Sequence, residues 1–220
     1  MSATGGWIFL ARPGLCSALH PMAVLLVILL NLVVTLLFFQ REDKHNFLFS
    51  PYAISQNEGY RGWIYAHFSH ANWMHLLFNM ITFYFFAPTI VHHMGPIFML
   101  ALYGVAGLAS DLAVYAMRHK DPRYACLGAS GSVSGILFGS IILEPFRDLG
   151  LVIIPFVPIP APVFAIAYLA LSFYMARRGG DGVSHEAHIG GALAGLAVTA
   201  VMAPAGLQPL FAEIQRLLTF

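Results

Sequence analysis

Apolar side chains run along this chain in six long blocks, 22–39, 73–90, 97–117, 127–143, 151–175 and 187–202, broken by charged residues or by clusters of proline and glycine. A bilayer core about 30 Å thick needs roughly 20 apolar residues per helix, so each block predicts a membrane-spanning helix. The fifth opens on a proline-rich entry, with Pro155, Pro158, Pro160 and Pro162. The connection 40–72 keeps Phe47, Leu48, Phe49, Tyr52, Tyr60, Trp63, Ile64, Tyr65 and Phe68 among few charges. Aromatic density of this kind predicts a loop lying in the headgroup region. After Pro204, residues 207–220 mix Leu210, Phe211, Ile214, Leu217 and Leu218 with Glu213 and Arg216, an amphipathic pattern that predicts an interfacial tail. An even number of spans makes the second, fourth and sixth run the same way, so their N-terminal ends share one leaflet.

Composition agrees with a multi-pass membrane protein. Hydrophobic residues make up 59% and charged residues 10%, against roughly 25% charge in a soluble domain. The formal charge of +1 leaves no basic surface for nucleic acid, which excludes that partner. Cys16 and Cys126 are the two cysteines, too few for a disulfide framework or for a structural zinc held by paired CxxC clusters. No linker divides the chain, so residues 1–220 are read as one domain with a core over about 20–203 and a tail over 204–220. The first 20 residues carry Arg12 as their one basic side chain and lack a good cleavage site, so the first block reads as a retained span. With no targeting presequence recognised, a bacterial plasma membrane is the expected location.

Polar residues that would be costly in lipid gather at the starts of the second, fourth and sixth spans. The fourth opens Gly128-Ala129-Ser130-Gly131-Ser132-Val133-Ser134-Gly135, followed by Gly139, and the sixth carries His188 ahead of Gly191 and Gly195. Glycines four apart lay a smooth stripe on a helix and let a neighbouring backbone approach. Packing alone explains one such stripe. Two smooth helices running the same way would also hold Ser130 and His188 at similar depth, where a hydroxyl and an imidazole act as nucleophile and base. Residues 128–143 cover only about 24 Å at 1.5 Å per residue, so this start is expected below the membrane surface. The segment 118–126 must then dip inward, which non-helical backbone does only when surrounded by protein or water. Free amides at the start of the fourth span favour developing negative charge there. At the start of the second span, His75 and Asn79 lie one turn apart on one face, with His70 five residues before. They are either interfacial residues satisfied locally or donors to an oxyanion alongside the Ser130 amide.

Together, Gly-x-Ser-Gly-x-x-x-Gly at Ser130, Ala-His-x-x-Gly-x-x-x-Gly at His188, and His-x4-His-x3-Asn at His70, His75 and Asn79 resemble the rhomboid family of intramembrane serine proteases. The resemblance covers about 20–203 in chain order and implies an all-α membrane protein: a six-transmembrane-helix rhomboid-like bundle with a membrane-embedded first loop. It implies a Ser130/His188 dyad without an acidic third member. His75, Asn79 and the Ser130 amide would line an oxyanion hole, with His70 holding the loop to the bundle and Gly128, Gly131 and Ser134 in support. It also implies transmembrane protein substrates with small residues at the cut, no cofactor, no metal, and lateral entry gated by the fifth helix and the loop before the sixth. Tyr60-Arg61 resembles the family's aromatic-Arg pair. Ser134 is a departure, because some members carry there a Tyr that packs on the catalytic imidazole, so the ring must be oriented by something else.

Several residues have competing readings. His185-Glu186-Ala187-His188 places its histidines three apart, whereas HExxH needs four, so zinc is not expected. Asp111 sits inside the third span, either hydrogen-bonded to a neighbouring helix or loop, or acting on His188. Cys126 reads as a small packing residue. A catalytically inactive rhomboid-like scaffold that binds membrane clients is the alternative function; a transporter would show paired broken helices, which are not found. Eight of the eleven Lys and Arg flank the spans on the side of the site. The positive-inside rule would therefore put the site on the cytoplasmic face, whereas bacterial relatives place it outside.

Overall fold

The computed structural model describes residues 13–151, 154–204, 206–208, 211 and 215. The chain is mostly helical: α1 (Pro13–Gln40), α2 (Pro51–Ser55), α3 (Tyr60–Ala66), α4 (Trp73–Met94), α5 (Pro96–Arg118), α6 (Ser130–Leu143), α7 (Ala161–Arg178) and α8 (His185–Met202). Among the described residues, three segments are long and apolar enough to cross a membrane: Pro21–Gln40 of α1, α4 and α5. α4 starts where the Asn72 side chain accepts from the His75 amide at 2.9 Å. It stops at Gly95, whose positive φ and the following Pro96 turn the chain directly into α5.

α6 is the axis of the bundle. Every residue from Gly131 to Ile141 is buried, so a helix with no polar face is wrapped by protein rather than lipid. Its glycines explain how. A Cβ on Gly191 of α8 would run into the Gly131 backbone, and one on Gly195 into the Gly135 backbone. Both helices advance four residues between these contacts, so α6 and α8 run parallel with their backbones touching. On the α5 side, a Cβ at Gly131 would strike Ser110, and one at Gly135 would strike Ala106. Gly195→Ala is expected to lower stability by about 1–3 kcal/mol through overpacking. Helix propensity alone favours alanine by about 1 kcal/mol, so the sign of the shift in thermal unfolding decides between the two effects.

The fifth predicted block is corrected. Residues 151–175 do not form one helix: β1 (Asp148–Leu151) pairs antiparallel with β2 (Ile154–Pro160), Asp148 opposite Pro160, and α7 begins only at Ala161. Prolines lack the N–H that a helix interior needs but are tolerated on strand edges. Ala161, buried, closes the hairpin by donating its amide to the Arg147 carbonyl at 3.2 Å. An all-α description therefore omits this hairpin. The fourth block is also shorter than 127–143, because Gly128 at φ +132° keeps the chain non-helical until Ser130. Most of the amphipathic tail expected over 204–220 lies outside the described residues, as do the first twelve residues with Arg12.

The long first connection folds into α2 and α3 and seals the backbone entering α6. Phe49 and Cys126 exchange amide-to-carbonyl bonds of 2.8 and 3.0 Å, and the Gly128 amide donates to the Ala66 carbonyl at 2.9 Å. The inward segment thus finds its partners in protein. Asp111 of α5 clamps the same connection. Its Oδ2 accepts from Trp63 Nε1 at 2.5 Å and from His67 Nε2 at 2.7 Å. This is the loop-bonded reading of Asp111.

Candidate active site

A cavity of about 530 Å³ opens along α6 between α4 and α7. Ser130, Ser134 and His188 line it together with Asn79 and Phe78 of α4 and Phe164 and Tyr168 of α7, and it extends to Arg147 and Asp148 beyond the far end of α6. The parallel pairing of α6 with α8 sets the depth of the two central residues. Gly131 lies beside Gly191 and Gly135 beside Gly195, so His188 sits about two residues, or ~3 Å, nearer the helix starts than the level of Ser130. Both are half-buried in the cavity wall. Their side chains are not hydrogen-bonded to each other.

Ser130 is the first residue of α6. The first helical bond at this end is from the Val133 amide to the Ala129 carbonyl, which leaves the amides of Ser130, Gly131 and Ser132 ahead of it as the helix's unpaired donors. Gly128 places His75 against this spot. A Cβ on Gly128 would lie 2.6 Å from His75 Cε1, 2.8 Å from its Nε2 and 3.7 Å from Ser130 Oγ. His75, Gly128 and Ser130 are therefore neighbours, and only glycine leaves the imidazole its place. Asn79 is buried, and its Nδ2 has no hydrogen-bond partner among the described residues. A buried amide donor without a partner is costly, and Asn79 shares the cavity wall with Ser130.

His70 lies outside the cavity lining. It is fully buried, its Nδ1 is 2.9 Å from Thr35 Oγ1 of α1, and its ring meets that of His75 edge-on at 4.9 Å. Thr35 donates its own proton to the Phe68 carbonyl at 3.1 Å, which leaves its oxygen free to accept from His70 Nδ1–H. Burial, and then the neighbouring His75, lower its pKa from 6.5 to about 3. The folded value lies below the unfolded one, so this contribution to stability is complete above pH 6.5 and is lost as pH falls from there toward 3. The loss is at most about 1.4 kcal/mol per pH unit. The thermal midpoint in detergent should drop between pH 7 and pH 5, and His70→Asn should flatten that drop.

Around the start of α8, the buried Glu186 accepts from Arg118 Nε at 2.7 Å and also from its Nη2. Arg118 lies over the Tyr124 ring at 5.1 Å, and Tyr124 donates to Ser184 Oγ at 2.8 Å. His185 Nε2 is 2.8 Å from Asp181 Oδ2. His185 and Glu186 of the His-Glu-x-His run thus have separate partners. Cys126 is held protonated, its thiol pushed up to about 12 by burial. Arg61 is exposed on α3 and does not line the cavity.

Sequence reasoning missed Tyr168. Its hydroxyl is 2.7 Å from Ser134 Oγ, and its ring stacks on His188 with centroids 6.2 Å apart at 28°. The one signal in the sequence was a tyrosine hydroxyl within an apolar helix, which needs a partner when buried.

Membrane-length helices around a mostly apolar cavity that holds a few polar side chains define a helical membrane protein with an internal site. The pattern of the Rhomboid domain matches residues 56–205, and this chain belongs to the rhomboid family. It is 34% identical to RHOMBOID-like protein 12, mitochondrial, of Arabidopsis thaliana over 57% of this chain and 41% of that one. Identity is 32% to Presenilin-associated rhomboid-like protein A, mitochondrial, of Danio rerio, over 60% and 35% of the two chains. It is 30% to Presenilin-associated rhomboid-like protein, mitochondrial, of Homo sapiens, over 59% and 34%. The matched region thus spans about two fifths or less of these relatives. Their names overturn the expected bacterial plasma membrane. A targeting segment is an address and not part of the fold, so the hydropathy of the core never carried information about which membrane holds it.

Proposed function

We propose that this protein is an intramembrane serine endopeptidase of a mitochondrial membrane, built as one domain of six spans with its first connection embedded at the interface. The family includes serine proteases. The observation that carries the reading is that Ser130, His188 and Asn79 line one cavity at the start of α6, with Asn79 Nδ2 bonded to no described residue. His188 takes the proton of Ser130, whose Oγ attacks a peptide carbonyl. The tetrahedral oxyanion is held by the Ser130 amide, Asn79 and His75. His188 then returns the proton to the leaving amine, and water hydrolyses the acyl-enzyme. His70 fixes the first connection to α1, Gly128 makes room for His75, Gly131 lets α8 approach, and Ser134 anchors a neighbouring ring.

The cavity's position supports the substrate class that the family resemblance implies. It lies between α4 and α7, where a transmembrane protein substrate would arrive sideways from the bilayer. Backbone amides in a lipid-facing helix are already bonded internally, so the segment must unwind before its carbonyl reaches Ser130. A serine-directed fluorophosphonate tests the reading. It should mark Ser130 on the intact chain, and the mark should be lost in His188→Ala. A folded protein that takes no label at Ser130 would overturn the enzyme and leave a scaffold for membrane clients.

A further inference from the structure

His188 has no carboxylate to orient it: neither ring nitrogen makes a hydrogen bond to any described residue. The torsion that turns an imidazole is broad, so packing must choose the plane in which its nitrogens lie. Two rings meet it. His185 approaches edge-on at 5.8 Å, and Tyr168 lies nearly parallel to it at 6.2 Å. His185 is held by Asp181 at the loop end of α8, so it sets one edge only. Tyr168 lies alongside the ring in a nearly parallel plane.

Tyr168 is itself tightly placed. Its hydroxyl is 2.7 Å from Ser134 Oγ, one turn after Ser130 on α6. Phe138 of α6 and Phe164 of α7 flank its ring at 5.3 and 5.7 Å. A line of contacts thus runs from α6 through α7 to α8: the helix carrying Ser130 holds the phenol, and the phenol holds the plane of the imidazole. Any motion that lifts α7 from α6 breaks the first contact and uncovers His188.

We propose that Tyr168 is a positioning residue that aligns His188 toward Ser130, so that the dyad is competent only while α7 is seated on α6. This rests on the Ser130/His188 reading. It also assigns Ser134 a role through its hydroxyl, as the anchor of Tyr168. A dyad that comes apart when α7 opens would not turn over while the cavity is exposed to the bilayer.

The test uses the full chain in detergent with a single-span model substrate and a fluorophosphonate. Tyr168→Leu should lower kcat about 100-fold, as a misplacement of about 1 Å does, with KM within about 3-fold and the labelling rate of Ser130 falling in parallel. Tyr168→Phe keeps the stacked ring and loses only the hydroxyl, as Ser134→Ala loses its partner. Each should cost about 5-fold, the worth of one hydrogen bond, and the double variant no more than either. If the leucine variant does not fold, Tyr168→Met supplies similar bulk without an aromatic face. Wild-type kcat in folded Tyr168→Leu or Tyr168→Met overturns the proposal, as does an equal loss in Tyr168→Phe and Tyr168→Leu. Failure of the parent protein to label at Ser130 overturns the dyad itself, a result distinct from both.

Discussion

Ser130→Ala should reduce cleavage of a single-span membrane substrate by at least about 10⁴-fold and leave the fold intact. The hydroxyl is half-buried, and it makes no hydrogen bond among the described residues. The packing of α6 is carried instead by Gly131 and Gly135 against α8 and α5. Thermal unfolding should therefore stay within about 0.5 kcal/mol of the parent, the usual range for a change that touches no structural feature. His188→Ala should bring cleavage to the same floor, and the double variant should go no lower, because nucleophile and base act as one unit and their losses do not add. Measured rates for the two single variants and the double variant check this directly. A half-active Ser130→Ala would place the nucleophile elsewhere and withdraw the reading of the whole cavity.

The parts of the site set by helix periodicity were legible in the sequence. Glycines at 131, 135, 191 and 195 are spaced for two backbones to touch, and the structure pairs them as that spacing requires. His75 and Asn79 share a face because residues four apart always do on a helix. What escaped was whatever depends on a partner distant in sequence. The prolines at 155, 158 and 160 were visible, yet a hairpin is made by the pairing of Asp148 with Pro160, which no local pattern announces. Tyr168 looked like one more aromatic residue in an apolar run; its meaning comes from Ser134, 34 residues earlier, and from His188 on a third helix. The clamp between Asp111 and Trp63 joins residues 48 positions apart. The sequence showed an acid that needed a partner, and only the fold could supply its name.

Asn79→Ala should lower kcat by about 10²–10³-fold with KM little changed, equivalent to about 2.7–4 kcal/mol of transition-state stabilisation. The Asn79 side chain is buried in the cavity wall, and its Nδ2 has no partner among the described residues to lose when the side chain is removed. A structural asparagine would have spent that donor on the protein. A donor left free in a buried place is destabilising at rest, so deleting it should hold or raise the thermal midpoint even as catalysis falls. Opposite signs for stability and rate would mark a group kept for a charge that exists only during the reaction. Asn79→Asp extends the argument: it is nearly the same size but replaces the donor with an acceptor, so the rate should fall at least as far as in alanine. The midpoint and kcat of both variants, measured in the same detergent, decide it, and a fall in the midpoint of Asn79→Ala comparable to its loss of rate would return this residue to the scaffold.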